Sequence, residues 1–251
     1  MASTPPTPST APPSKSTASL PSSVTKPTIP DDLAAALADL PVLPRADAVL
    51  FPTARLVVEV VEQGHRALVQ AALDRQGALA VAYPVQGSPQ GAGPAAPPPS
   101  DARPPLRPIA GVGTIVERSP LSGGRDRLVV LGRARVRLQE LSFVPPFQRA
   151  IATLLRCPEG GVPEGELLAL HAAAASFANL MQARDPGFAL RLPSGCAPGV
   201  LIDSCADQLV LDAGQRQRVL ETLDLRGRAR LVTEVLTMQE ATLGPDHRPT
   251  N

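Results

Sequence analysis

The sequence predicts an α+β protein, a mostly antiparallel β domain followed by a helical one. Three observations carry this. Residues 41–73 read as strand, proline-containing bend, strand and short helix: the β-branched-rich run 56–61 gives way after Gly64 to Leu68, Val69, Ala72 and Leu73 at helical spacing. Short apolar runs bounded by glycine and proline then continue as strands to Arg156. After Gly160 and Gly161 the apolar period becomes helical and stays so to about Leu243.

Residues 1–30 are mostly Ser, Thr, Pro and Ala without apolar periodicity. Such a stretch buries too little to offset its ordering entropy, so a disordered tail is expected. No apolar centre follows a basic start, so it is not a signal peptide. Asp31 and Asp32 precede an Ala/Leu helix over residues 33–40, at the end where the helix dipole favours carboxylates, and Pro41 stops it. Leu43 opens one apolar run; Ala48, Val49, Leu50 and Phe51 form the next, closed by Pro52. Residues 78–83 are a strand. The low-complexity stretch 86–108 is expected to be a disordered insert inside the β domain, which spans residues 31–157.

In the strand 109–118, Gly111 and Gly113 mark a bulge or a close backbone approach. A dinucleotide fingerprint fails there, because position 116 is Val and no helix pattern follows. Residues 119–125 supply a hairpin turn, with Gly123 and Gly124 tolerant of positive φ. Strands follow at 127–131 and 134–141, separated by Gly132, and at 147–156. A helical domain over 163–243 comprises four helices. The first is 164–184, with Leu167, Leu170, Ala174, Phe177 and Met181 on one face. The second is 198–209, with proline in its first turn. The third is 213–222, with Asp212 and Gln215 as a capping box. The last is capped by Asp224 and turns Ala229, Val232, Val235 and Leu236 inward. Pro245 prevents continuation, and residues 244–251 are expected to be disordered.

Leu43, Pro44, Arg45, Asp47, Val49, Leu50, Phe51 and Pro52, followed by Glu62 and Leu68, resemble the opening of the amino-terminal substrate-binding domain of Lon proteases. That family has Leu-Pro-Leu-Arg-(Asp/Asn)-x-Val-Leu-Phe-Pro, an apolar strand, then Phe-Glu-x-x-Tyr-x-x-Leu. The likeness continues in Gly132, Arg133, Arg137, Glu140 and Leu141, and in Leu220, Glu221, Thr222, Leu223, Asp224, Arg226, Arg230 and Leu231. This chain departs from the pattern at Thr53 and Ala54, where the family has Gly-Met, at Val61 for Phe, and at His65 for Tyr. Gly227 departs too, at about 1 kcal/mol of helix propensity against Ala. The resemblance implies a PUA-like β pseudo-barrel and a protein that binds unfolded or degradation-marked polypeptide, in a role in protein quality control. Phe51, Pro52 and Leu56 near the bend are the contact residues it suggests, with core packing the stronger role for Phe51. A nucleic-acid-binding module and an adaptor that docks on a complete Lon protease are the alternatives.

The chemistry argues for binding and against catalysis. The only lysines are Lys15 and Lys26, both in the tail. A phosphate-cradling Walker loop and a Ser-Lys dyad each need a lysine in a folded site, so these residues hold neither, and the expectation is a stand-alone relative of the binding domain without motor or protease. His65, His171 and His247 are scattered; His65 reads as structural filler or a partly exposed helix residue, and packing is the favoured role for His171. No His-Glu cluster has metal spacing, no Gly-x-Ser-x-Gly elbow exists, and no cofactor is expected. Cys157, Cys196 and Cys205 match neither a disulfide framework nor a zinc pattern, which suggests a cytoplasmic protein with Cys205 as a small buried hydrophobe. No stretch approaches the roughly 20 apolar residues of a membrane span.

Arg133, Arg135 and Arg137 alternate with Ala134, Val136 and Leu138, which places three guanidiniums on one face of a strand. A solvated sheet face is the heavier reading, and a docking face for an anionic partner the alternative. A net charge of +1 and 2% aromatic residues disfavour nucleic acid as that partner.

Overall fold

The computed structural model describes residues 31–61, 63–85, 105–157 and 161–244. The expectations for the tail, for most of the 86–108 insert, for Glu62, for His247 and for the last seven residues lie outside these. The elements run α1 (Asp31–Ala36), β1 (Leu40–Pro44), β2 (Arg55–Val60), α2 (Gln63–Leu73), β3 (Ala78–Ala82), β4 (Ile109–Leu121), β5 (Arg125–Glu140), β6 (Gln148–Leu155), α3 (Glu164–Arg184), α4 (Pro198–Leu209), α5 (Ala213–Glu221) and α6 (Leu225–Leu243).

The six strands form one sheet in the order β2-β5-β4-β3-β1-β6, and β6 returns to pair with β5. The sheet therefore closes into a barrel, antiparallel throughout except for the β1–β3 pair. The length of β5 makes this possible. Its amino-terminal half pairs with β2 and its carboxyl half with β6, while β4 runs along its other side. β2 pairs with β5 alone, so among the described strands it is the free edge.

One expectation is corrected at the start of the chain. The helix expected over 33–40 ends at Ala36, and Leu40 opens β1. Leu40 pairs with Ala150 and is fully buried, so sheet pairing overrides the Ala/Leu helix propensity. The apolar run 48–51 is buried but is not a strand. It crosses the barrel wall over two glycines. A Cβ on Gly111 would lie 1.9 Å from the Leu50 carbonyl oxygen, and one on Gly132 would lie 1.9 Å from that of Phe51. Gly132 N–H donates to the Ala54 carbonyl and its own carbonyl accepts from Thr53 N–H, each at 2.9 Å. The glycine pair in β4 thus does both things expected of it, since the register with β5 also shifts between Val112 and Gly113. The hairpin turn carries its positive φ at Gly123.

The four C-terminal helices follow the sequence expectations to within a residue. The Asp212 carboxylate accepts from Gln215 N–H at 2.8 Å, and that of Asp224 from Gly227 N–H at 2.5 Å. The first is half a capping box, because the Gln215 side-chain oxygen accepts from Arg218 instead. Barrel and helices share their largest apolar cluster. Val49, Phe51, Tyr83 and Ile109 from the barrel side pack in it with Phe177, Ile202, Leu209, Val232 and Leu236. Burial of that joint face is what holds the helical layer against the sheet.

Candidate functional site

The arginine strand is where the structure departs furthest from the sequence reading. Arg133 and Arg137 are exposed, but Arg135 is only 3% exposed. The helical layer covers the middle of this face. Arg135 makes a bidentate pair with Asp203 of α4, at 2.7 and 2.8 Å, and its Nε donates to the Leu220 carbonyl. Arg228 of α6 donates to the same Asp203 carboxylate at 2.9 Å, and is 1% exposed. One carboxylate therefore holds two buried guanidiniums, and a strand and two helices meet at it. Gln217 of α5 adds a bond to the Ile109 carbonyl at 2.8 Å. So Arg135 is neither a solvated residue nor a docking group; it ties barrel to helices. The sequence carried no clear signal for this, because at 3.6 residues per turn Asp203 falls outside the stripe of Leu201, Ile202, Cys205 and Leu209, and only the contact with β5 and α6 buries it.

The three residues suggested as polypeptide contacts separate. Phe51 is fully buried beneath the Arg135 guanidinium, which lies 5.9 Å above its ring, so it is a core residue and not a contact. Leu56 is half-buried against the cluster of Val58, Leu68 and Val130. Pro52 is half-buried and lines a cleft. Of the histidines, His65 lines a smaller cavity of about 250 Å³ between β1, α2 and the chain around Phe147. His171 is exposed on α3, against the expectation that it packs, because the buried stripe of that helix runs through Leu170, Ala174 and Phe177.

The cleft beside Pro52 holds about 710 Å³ and sits where barrel meets helices. One wall is the turn 51–54 with Arg55, the first residue of β2; the other is the connector at Arg191, Leu192 and Pro193; α4 supplies the floor. Gln208 fixes the connector by accepting from Arg191 N–H at 2.9 Å and donating to its carbonyl at 2.8 Å. In the turn, Ala54 N–H donates to the Phe51 carbonyl at 3.2 Å, with Pro52 second and Thr53 third at φ 68°. That is the pattern of a type II turn, whose third position calls for glycine. A β-branched residue held there costs on the order of 1 kcal/mol. Thr53 thus occupies, under strain, the place where the Lon pattern has Gly.

Asp207 lines the floor. Burial pushes its carboxyl up to about 6; the Asp203 carboxylate pushes the same way, and Arg216 opposes both. Its carboxylate makes no hydrogen bond to any described residue. The sign of the resulting pH dependence is fixed. A carboxyl whose folded value lies above its ordinary 3.8 binds a proton more readily folded than unfolded, so stability rises as pH falls from about 7 toward 4. Asp207→Asn is expected to stabilise the protein by about 1–2 kcal/mol at pH 7.5, after allowance for partial solvation, and by little near pH 4. Denaturant midpoints across that range check this, and a benefit independent of pH would refute the assignment.

Burial pushes the Cys205 thiol up to about 12, in keeping with an inert core residue. Among the described residues no group of three or more His, Cys, Asp or Glu side chains could hold a metal ion, and no helix is long and apolar enough to cross a membrane.

Fold and cleft define a class of protein: a closed β-barrel that carries a helical layer and leaves, at the seam, a cleft with charged rims and an apolar interior. The chain belongs to the family of the ATP-dependent protease La (LON) substrate-binding domain, whose model matches residues 39–238. It is 30% identical over 135 residues to the Lon protease of Roseiflexus castenholzii, a match that covers 53% of this chain and 17% of that protein. In fold it is similar to the N-terminal domain of Mycobacterium avium complex Lon protease, at 20% identity and a TM-score of 0.57 over 79% of this chain and 98% of that one. It is also similar to a Lon N-terminal domain protein from Xanthomonas campestris, at 15% identity and a TM-score of 0.53 over 78% and 97%.

Proposed function

We propose that this chain binds exposed, extended stretches of other polypeptides and leaves their peptide bonds intact. The observation that carries this is the continuity of a free strand edge with a cleft: Arg55 is both the first residue of β2 and part of the cleft wall. An extended polypeptide added to β2 gains main-chain hydrogen bonds along the edge, independent of its sequence. Val57, 48% exposed on that strand opposite Val129 of β5, adds apolar contact. Pro52 and Leu56 lie beside this path; Arg133 and Arg137 remain exposed on β5, beyond the stretch that pairs with β2. A role in protein quality control, alone or beside a complete Lon protease, is the setting that the family supports.

The test is fluorescence anisotropy with a labelled, reduced and alkylated protein that cannot refold, its native form, and single-stranded RNA. Binding of the unfolded form alone is expected. N-methylation of alternate amides in a peptide ligand is expected to weaken binding at least ten-fold, because it removes edge donors. Binding of RNA that falls steeply with salt, with no binding of unfolded protein, would overturn the proposal.

A further inference from the structure

We propose that the cleft at the seam recognises the C-terminal carboxylate of an extended polypeptide, held between Arg55 on the barrel wall and Arg191 on the connector. This rests on the polypeptide-binding reading and names the group that reading leaves open.

Most of the described arginines donate to a carboxylate, a carbonyl or a hydroxyl. Arg55 and Arg191 do not. Both are exposed, both line the same cleft from opposite walls, and neither guanidinium has a hydrogen-bond or ion-pair partner among the described residues. Guanidinium is the side chain best shaped to take a carboxylate by two parallel hydrogen bonds.

The acidic groups nearby do not cancel this charge. Asp203 is already shared by Arg135 and Arg228, so its carboxylate is saturated. Asp207 is protonatable near neutrality, and the Arg216 charge on α5 acts on it. These two aspartates, with Arg55 and Arg191, are the charged residues that line the cleft, and Arg216 acts on Asp207 from outside that lining. A ligand carboxylate, ionised down to about pH 4, therefore meets an excess of positive charge, and the excess grows as Asp207 takes up its proton.

The remaining lining explains why a chain terminus fits better than an acidic side chain. Pro52, Ala54, Leu192, Pro193 and Val200 make an apolar interior for the side chain on the same terminal residue. A polypeptide paired along β2 reaches the cleft at Arg55, where the strand ends and the chain turns at 51–54. About 710 Å³ is enough for a terminal residue or two, within the range of ligand sites.

The experiment measures anisotropy of the full chain with three labelled versions of one extended apolar peptide: free C-terminal acid, C-terminal amide, and amide with an internal Glu. The free acid is expected to bind at least ten-fold more tightly than either amide, and more tightly at pH 5.5 than at pH 7.5. Arg55→Gln and Arg191→Gln are each expected to lower affinity for the free acid several-fold, to shrink the ratio of acid to amide affinity, and to leave the melting temperature unchanged. Equal binding of acid and amide overturns the inference while polypeptide binding stands. Tighter binding of the internal-Glu amide overturns it in favour of an acidic side chain. Binding of none of the three, and of no unfolded protein, overturns the functional reading beneath it.

Discussion

Asp203→Ala is expected to destabilise the protein by about 3–5 kcal/mol, since it strands Arg135 and Arg228 as uncompensated buried cations. For a chain whose total stability is on the order of 5–15 kcal/mol, this removes much of the margin. The loss falls on the joint: the buried ion pairs among β5, α4 and α6 all run through this one carboxylate. Denaturant unfolding monitored by circular dichroism measures it. Asp203→Asn keeps the shape and one acceptor, so it is expected to cost less than Ala but still several kcal/mol in the same range. The triple variant Arg135→Met, Asp203→Leu, Arg228→Met is expected to recover most of the loss, because an apolar group of similar volume needs no partner. A cost for Asp203→Ala below about 0.5 kcal/mol, the scale of a surface substitution, would mean that water reaches this triad.

Gly132→Ala is the second large effect. Its Cβ would lie 1.9 Å from the Phe51 carbonyl oxygen, and neither atom belongs to a side chain that can rotate away. Relief requires the 51–54 turn to lift off β5, which breaks both 2.9 Å bonds between Gly132 and residues 53 and 54. A loss of more than about 3 kcal/mol is expected, above the usual range for a single substitution. Gly111→Ala meets the Leu50 carbonyl at the same 1.9 Å and is expected to behave alike. Gly165→Ala is the control: nothing lies within 4 Å of its Cβ position at the start of α3, so it is expected to be neutral or to gain up to about 1 kcal/mol. If Gly132→Ala melts with Gly165→Ala, the crossing of the 48–54 segment over the barrel is wrong. Since that crossing also forms one wall of the cleft, peptide binding is expected to fall with stability in Gly132→Ala.

Much of the fold was legible because local rules and tertiary demands agree over most of the chain. The C-terminal helices are legible in plain sequence, the last two through their caps, with Asp212 and Asp224 one residue ahead of the first helical turn. Gly111 and Gly113 announced a backbone approach before the approaching segment was known. Legibility failed where a residue answers to a distant one. Leu40 reads as helix by composition and is strand by pairing with Ala150. Arg135 reads as exposed by alternation and is buried because α4 brings Asp203 onto that side of the sheet. The cleft had no signature at all, apart from Pro52, because its two walls are separated by more than a hundred residues of chain.

By itself the sequence determined most element types, the turn glycines and the family pattern, which depend on neighbours within a few positions, and the absence of any lysine after Lys26. Only the tertiary structure decided which arginine is buried, which strand is left as an edge, and where barrel and helices leave a space. Those are properties of pairs of residues far apart in the chain, and burial and Coulomb energy act through space, not along the backbone.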